Sequence, residues 1–391
     1  PEFLEALQTE AEAKQRCPPR QNALVALLLC RERLRDESPF GAYLDSLPKS
    51  FPTMPLLDDD PPWCQGTVTD DDDGTACEDL PWIYRGTAVE ILAEAKSGLA
   101  GAEGIQAMQR LLASTRSFWP QEPSEAQLRW AAANVQSRAH AAQGGGTILI
   151  PLADCFNHSP TNANCEVVQH EQHIEVVTTC DIDAGEELLI CYGHFSNAEL
   201  LYNAGFTAWP NDFDGLVLDS SELRAAVAAE RPEGGLPVRS CGEWADGFEV
   251  KLSAAAPLLG RGVPSRAVTM LAALMLPEDR WQALLQNEEG PGGVHDLWAQ
   301  DSAEAASLRA RVAACVLRAL KDCVEPRYSA TTLDFDIEAL RRAEASLTSG
   351  SHATPIARVR RTNALRVRVS ERQTLRRLSA ALHARAASSV Q

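Results

Sequence analysis

The spacing of hydrophobic residues divides the chain into three regions, residues 1–146, 147–210 and 211–391. In the first region Leu24, Leu27, Leu28 and Leu34 recur at helical spacing. Ser124 followed by Gln127 forms a capping box, which predicts the start of a helix that continues to Ala139. Short helices are also predicted over Ala88–Leu99 and Ile105–Leu112. The first region is therefore expected to be mostly helical.

The period of the pattern changes in residues 147–210. Continuous apolar runs at Ile148–Leu152 and Leu188–Tyr192 have the length of buried strands. Residues 166–169 and 174–176 are predicted to pair across a polar turn at 170–172. Ser196 and Glu199 form a second capping box, and Gly205 suits the left-handed stop of the helix that they open. This region is expected to be mainly β.

From residue 211 onward the pattern is mostly helical again. Helices are predicted over Ala267–Leu276, Ala303–Leu320, Leu333–Leu347 and Arg358–Ala384. The last of these is rich in arginine. We interpret its charges as a solvated face, with a docking surface for an acidic partner as the alternative.

Charge and composition exclude several classes of protein. The chain has 391 residues, enough for two or three packed units, and a net charge of −18, which argues against nucleic-acid binding. The acidic stretch between Asp58 and Asp79 is expected to be a solvated loop. The longest apolar run, Ala23–Cys30, is too short to span a bilayer, and no secretory signal is visible.

The eleven cysteines are scattered, and none forms the C-x-x-C pair typical of a zinc site. No metal is predicted for this reason. Several cysteines fall in apolar runs, which is typical of buried free thiols and predicts a reducing, intracellular location.

Polar residues that could carry chemistry follow the predicted strands. Asp154, Asn157 and His158 come after the first apolar run, and Tyr192 ends the second. Arg138 lies at the end of the preceding helix. Taken singly, these residues could be turn formers, a core histidine, a packed aromatic and a helix-terminal arginine.

Three segments taken in order carry a resemblance. "ILIPLADCFNHSP", "AGEELLICYG" and "SNAELLYNAGF" resemble the C-terminal half of a SET-domain methyltransferase, and more narrowly the branch of the Rubisco large-subunit lysine methyltransferase. The resemblance implies an α+β fold with three parts. Residues 1–146 would be a helical insertion after a truncated N-terminal SET region, 147–210 the C-terminal half of a β-rich SET core, and 211–391 an all-α, or mostly helical, substrate-binding domain.

The resemblance also implies a function, that of an S-adenosylmethionine (AdoMet)-dependent protein-lysine N-methyltransferase acting on a non-histone protein. Tyr192 would be the catalytic residue. The implied cofactor-binding residues are Arg138, Asp154, Asn157, His158 and Phe206, and the implied walls of the substrate channel are His140, Ile190 and Ala204. The substrate protein would dock on the helical C-terminal domain of a monomer, without nucleic acid or membrane.

Two departures from the family pattern keep alternatives open. Lysine-directed members usually have large aromatics where His140 and Ala204 stand, and the actin-histidine branch also lacks them, so histidine is an alternative acceptor. That branch has Trp where Ala153 stands, which favours lysine. The glycine-rich segment that opens the SET fold has no counterpart, so the chain is expected to begin inside the insertion. A non-catalytic, SET-derived binding module is the second alternative.

Overall fold

The computed structural model describes residues 21–55, 83–94, 98–143, 145–231, 249–253, 266–286, 290–348 and 355–388. The predicted acidic loop lies outside these residues. The fold is α+β, as predicted.

Helices dominate the described residues before position 140. They are α1 Gln21–Arg33, α2 Gly41–Ser46, α3 Ala88–Glu94, α4 Ala102–Ser114 and α5 Glu125–Arg138, with a 3₁₀ turn at Arg116–Phe118. The capping box is confirmed, because the Ser124 hydroxyl accepts a hydrogen bond from the Gln127 amide and the Gln127 side chain accepts one from the Ser124 amide. Helices α1 and α5 pack against each other.

Short strands follow. They are β1 His140–Ala141, β2 Thr147–Ile148, β3 Asn157–His158, β4 Cys165–Gln169, β5 Ile174–Thr178 and β6 Leu189–Ile190. The predicted β4–β5 hairpin is confirmed, with Gln169 opposite Ile174. Strands β1 and β2 form a second antiparallel pair, whereas β3 and β6 pair in parallel.

The strand predicted over Ile148–Leu152 is wrong for most of its length. Only Ile148 belongs to a strand, and the chain turns at Leu152, which has φ 73° and is 79% exposed. A 3₁₀ turn at Ala153–Cys155 follows and buries Asp154. A run of apolar residues is compatible with a strand and also with a turn. The pattern alone therefore could not predict that the chain changes direction here.

Helix α6, Asn197–Ala204, has both of its predicted ends. The Ser196 hydroxyl accepts from the Glu199 amide, and the Glu199 carboxylate accepts from the Ser196 amide at 2.7 Å. Gly205 has φ 80°, and a Cβ there would lie 2.6 Å from the Thr53 hydroxyl oxygen. Glycine is therefore required at this position by both conformation and space.

The described residues after position 211 are helical apart from one strand pair. The elements are β7 Gly215–Asp219, α7 Ser220–Glu230, β8 Glu249–Ser253, α8 Arg266–Met275, α9 Glu278–Gln286, α10 Gly290–Ala299, α11 Ala303–Ala319, α12 Leu333–Thr348 and α13 Pro355–Ser388, with a π turn at Leu320–Val324 and a 3₁₀ turn at Glu325–Tyr328. The antiparallel pair β7–β8 corrects the expectation of an all-α region.

The chain forms two compact units. Unit 2 contains the described residues of Arg85–Ala88, Asp212–Arg342 and Val367–Gln391, and unit 1 contains the others. The core of unit 1 includes Leu27, Met108 and Leu128, all almost fully buried. The core of unit 2 is built around Trp298, Leu271 and Val316. The division into residues 1–146, 147–210 and 211–391 stays a prediction.

The interpretation of the α13 arginines as a solvated face is wrong for part of the helix. Arg368 is 1% exposed, and its Nε donates to the Asp336 carboxylate at 3.0 Å. Arg372 donates to the same carboxylate at 2.6 Å. Arg376 and Arg377, further along the helix, are exposed. Within the described residues, no helix is both long and apolar enough to cross a membrane.

Candidate active site

Tyr192 is held against the segment that contains Asn157 and His158. The parallel pairing of β3 with β6 brings these two parts of the chain side by side. The Tyr192 hydroxyl donates to the carbonyl oxygen of Phe156 at 2.6 Å, and the Tyr192 amide donates to His158 Nδ1 at 3.1 Å. Both ends of the tyrosine are thereby fixed by residues more than thirty positions earlier.

Three rings pack together at this point. The His158 ring stacks on Tyr192 with 5.0 Å between centroids, and Phe206 meets Tyr192 edge to face at 6.2 Å. Burial raises the pKa of the Tyr192 hydroxyl and lowers the pKa of the His158 ring. Tyr192 is therefore protonated and His158 neutral at pH 7, which agrees with His158 Nδ1 accepting a hydrogen bond.

Gly193 makes the position of Tyr192 possible. Its φ is 143°, and a Cβ there would lie 2.8 Å from the ring of Phe195. A side chain at residue 193 would have to displace this ring and adopt a backbone conformation that favours glycine. The backbone conformation of residue 193 and its closeness to Phe195 therefore explain why glycine follows Tyr192.

A second polar cluster lies around Asp154. Arg138, at the last position of α5, donates from Nη1 to the Asp154 carbonyl oxygen at 2.8 Å and lies 3.7 Å from its carboxylate. The Tyr43 hydroxyl donates to the same carboxylate at 2.7 Å. The carboxylate is almost fully buried, so these two contacts offset the cost of burying its charge.

The two clusters meet at one cavity of about 300 Å³ in unit 1. Its wall contains five residues that the sequence analysis selected, namely Arg138, His140, Asp154, Tyr192 and Ala204. The remaining wall residues are Gln136, Ser137, Ala139, Ala141, Cys191, Phe195, Glu199, Leu200 and Asn203. The arrangement offers a cation, a buried carboxylate and a phenol to one bound molecule.

The other four selected residues do not line this cavity. His158 and Phe206 pack against the Tyr192 ring, and Ile190 is buried in β6 opposite His158. Asn157 is exposed, and its side-chain amide donates to the Glu187 carboxylate at 2.6 Å.

A comparison with protein families decides the class of this fold. Residues 4–193 match the family model described as "SET domain". The chain contains a SET domain.

Solved structures with the same fold cover nearly the whole chain. The Rubisco LSMT structure bound to AdoMet is similar over 96% of this chain and 77% of its own, with a TM-score of 0.59 and 17% identity. The SET domain of LSMT bound to lysine and AdoHcy is similar over 93% and 75%, with a TM-score of 0.57 and 17% identity. At this identity the likeness establishes the fold.

Sequence relatives are found among the actin-histidine N-methyltransferases. The human and chicken (Gallus gallus) proteins are each 31% identical over 122 residues, which is 29% of this chain. The aligned part spans about a fifth of the length of these relatives, 20% of the human and 21% of the chicken protein.

Several residues of the SET-domain cavity and its surroundings were not predicted from the sequence. Glu199 and Asn203 are one helical turn apart on α6 and both line the wall. Their spacing places both residues on one face of α6. Once Ala204 had been selected, they could therefore have been predicted as its neighbours in the wall. Tyr43 carried no such signal, because 111 positions separate it from Asp154.

His140 forms the part of the wall where β1 begins. Burial lowers the pKa of its ring, although the Asp154 charge acts in the opposite direction. At pH 7 this wall therefore presents a neutral imidazole, and Ala204 presents only a methyl group.

Proposed function

We propose that this chain is an AdoMet-dependent protein N-methyltransferase in which Tyr192 orients the accepting nitrogen. One observation carries the proposal: in a SET domain, Tyr192, Arg138 and Asp154 share the wall of a single cavity. Metal-independent transfer from AdoMet needs positioning of two reactants more than it needs acid–base work, since the donated methyl is already activated.

The residues fit the cofactor. The Nε of Arg138 is buried and has no hydrogen-bond partner among the described residues, so it can pair with the carboxylate of AdoMet. The buried Asp154 carboxylate puts a negative charge in the cavity wall, 3.7 Å from the Arg138 guanidinium, so the two side chains can face the opposite charges of AdoMet. A volume of about 300 Å³ reaches the lower end of small-molecule pockets. Roles for Asn157, His158 and Phe206 in holding the cofactor stay predictions.

Tyr192 would act on the acceptor through its hydroxyl oxygen. This hydroxyl donates its hydrogen bond to the Phe156 carbonyl, so its lone pairs remain free to accept a hydrogen bond from the incoming nitrogen. Such a bond would aim the lone pair of the nitrogen at the methyl group that AdoMet supplies when bound. Because burial keeps Tyr192 protonated, this geometry persists across neutral pH.

Lysine is the first candidate acceptor. With a pKa near 10.4, only about one free lysine in 2000 is neutral at pH 7, and enclosure beside a sulfonium charge lowers that pKa. The SET domain of LSMT has been solved with lysine bound, which supports this choice. His140, Ile190 and Ala204 are the proposed channel residues.

Histidine is the second candidate, favoured by two observations. The 31%-identical relatives are actin-histidine N-methyltransferases, and the cavity wall has His140 and Ala204 in place of large aromatics. An imidazole is already mostly neutral at pH 7 and needs no deprotonation before attack.

Two measurements test the proposal in sequence. Calorimetric titration with AdoMet should give a one-to-one complex, and the absence of binding heat would favour a non-catalytic binding module. Incubation of the protein with labelled AdoMet and cell extract, followed by mass spectrometry, should then place methyl groups on lysine. Methyl groups on histidine would select the second candidate, and no labelled protein would contradict transfer.

The partner of this chain would be a protein that docks on residues 211–391, with the chain acting as a monomer inside the cell. No described helix could span a membrane, and the net charge of −18 disfavours nucleic acid. Binding of truncated forms of the partner protein tests the docking surface. Sedimentation tests the monomeric state.

A further inference from the structure

The β4–β5 hairpin carries a cluster of metal-binding residue types away from the candidate active site. His170 and His173 lie in its turn, where the His170 amide donates to the His173 carbonyl at 2.9 Å. Glu175 follows in β5, two residues after His173, and so points to the same face of the hairpin. The register, with Gln169 opposite Ile174, fixes the three residues at one end of the hairpin.

The three side chains lie close enough together to offer one ligand atom each to a common ion. The His173 Nε2 lies 3.0 Å from one Glu175 oxygen, and the His170 Nε2 lies 3.4 Å from the other. The two imidazole rings stack with centroids 4.5 Å apart, and one ligand atom from each residue lies within 4.8 Å of the others. Bonds of about 2.0–2.1 Å to a tetrahedral ion place neighbouring ligand atoms roughly 3.3 Å apart, so the three atoms, within 4.8 Å of one another here, would draw closer together around the ion.

We propose that His170, His173 and Glu175 bind a divalent transition-metal ion of the zinc class. Two imidazoles and one carboxylate suit Zn²⁺, whereas Ca²⁺ and Mg²⁺ prefer sets of oxygen ligands. All three residues are exposed, and a water molecule would complete the coordination.

No metal was predicted from the sequence, because the spacing of its cysteines does not match a zinc site. The site proposed here uses His170, the first residue of the predicted polar turn at 170–172, and His173, which directly follows that turn. It is independent of methyl transfer, and its failure would leave the proposed function untouched.

An ion at this position would hold the end of the hairpin that supports the cavity wall. The Gln169 side chain donates to the Ala141 carbonyl at 2.7 Å and accepts from the Gln143 amide at 2.9 Å. Ala141 belongs to β1 and lines the cavity. The metal would therefore stabilise the hairpin at His170, which is next to Gln169, the residue whose side chain contacts β1.

Zinc titration by calorimetry tests the proposal. The variants His170→Ala and His173→Ala should each lose one bound Zn²⁺ or bind it at least about tenfold more weakly, because loss of even an outer-sphere partner costs that much. His383→Ala removes another exposed histidine, on α13, and should bind as the wild type does. Equal binding by all three variants and the wild type would overturn the proposal.

A second measurement identifies the ligands directly. In ¹⁵N spectra of the imidazole groups, Zn²⁺ should shift the signals of His170 and His173 together, and Glu175→Gln should weaken this response. Equal melting temperatures of the variants without metal would show that each is folded. Zinc-induced shifts that spare these two histidines would contradict the assignment.

Discussion

Individual side chains of the cavity wall are proposed to have different roles, and that of Arg138 is to bind the carboxylate of AdoMet. Its Nη1 is occupied by the Asp154 carbonyl, while its Nε is buried without a partner among the described residues. A buried donor left unpaired is costly, so a ligand that pairs with it gains that free energy.

Replacement of this arginine is therefore expected to weaken cofactor binding. For Arg138→Gln the dissociation constant of AdoMet should rise about 10- to 100-fold, because a hydrogen bond to a charged group contributes roughly 1.5–3 kcal/mol. Calorimetry measures this change. Arg129→Gln, on the same helix and paired with Glu125 at the surface, is the matched control. A variant at residue 138 that binds AdoMet as the wild type does would refute the assignment.

At the scale of secondary structure, α6 positions one side of the cavity. The helix presents Glu199, Asn203 and Ala204 to the wall, and its first turn depends on the capping box of Ser196. Loss of a serine N-cap costs about 1 kcal/mol.

Removal of this cap should affect both stability and binding. Ser196→Ala is expected to lower the free energy of unfolding by about 1 kcal/mol and to weaken AdoMet binding, because the fraying turn lines the cavity. Ser302→Ala removes the N-cap of α11 in unit 2 and should cost similar stability without changing binding. Denaturant titration and calorimetry of both variants make the comparison; equal effects on binding would show that α6 does not shape the site.

Elements whose cause is local could be predicted from the sequence. The capping boxes at Ser124 and Ser196, the stop at Gly205 and the β4–β5 hairpin depend on residues a few positions apart, and all are confirmed. The predicted helix over Ile105–Leu112 lies within α4, Ala102–Ser114.

Features that depend on distant residues could not be predicted in this way. The β7–β8 pair joins strands about thirty residues apart, and Tyr43 reaches Asp154 only through the fold. The turn at Leu152 ends an apolar run whose pattern predicted a strand. Five of the nine residues selected for the candidate site line the cavity. They were selected from the order of three sequence motifs rather than from any single residue.

At the scale of the whole molecule, unit 2 depends on buried ionic contacts. The Asp336 side chain is fully buried and accepts hydrogen bonds from Arg368 and Arg372. Both guanidinium groups also lie over the Tyr328 ring, at 5.3 and 5.7 Å. Removal of one partner from such a set leaves a charge buried without compensation.

Neutralising this carboxylate should strongly destabilise unit 2. Asp336→Asn is expected to lower the free energy of unfolding by about 3–5 kcal/mol, measured by denaturant titration. Glu338→Gln, on the same helix, removes only exposed ion pairs with Arg341 and Arg342 and should have little effect. Similar losses from both variants would contradict the role given to the buried network.

Glu371 makes the stability of unit 2 depend on pH. Burial raises the pKa of its carboxyl to about 8, and its oxygens contact the Ala88 amide and the Tyr328 hydroxyl. Between the unfolded pKa near 4.3 and this value, the folded state holds a proton that the unfolded state has lost. Stability must therefore fall as pH rises through this window.

The glutamine variant should remove this dependence. The wild type is expected to lose up to about 1.4 kcal/mol per pH unit from this group between pH 5 and 8, whereas Glu371→Gln should lack that component. Melting temperatures recorded across this range provide the test. Parallel pH profiles for the two proteins would show that Glu371 does not hold the proton.

The most direct test of the central claim is the rate of labelled methyl transfer from AdoMet by Tyr192→Phe beside the wild type. Phenylalanine keeps the ring that packs against His158 and Phe206 and removes only the hydroxyl. We expect AdoMet binding to persist and the rate to fall about 100-fold or more, as for loss of one positioning hydrogen bond at a reacting centre. A variant that transfers methyl groups at the wild-type rate would contradict the account.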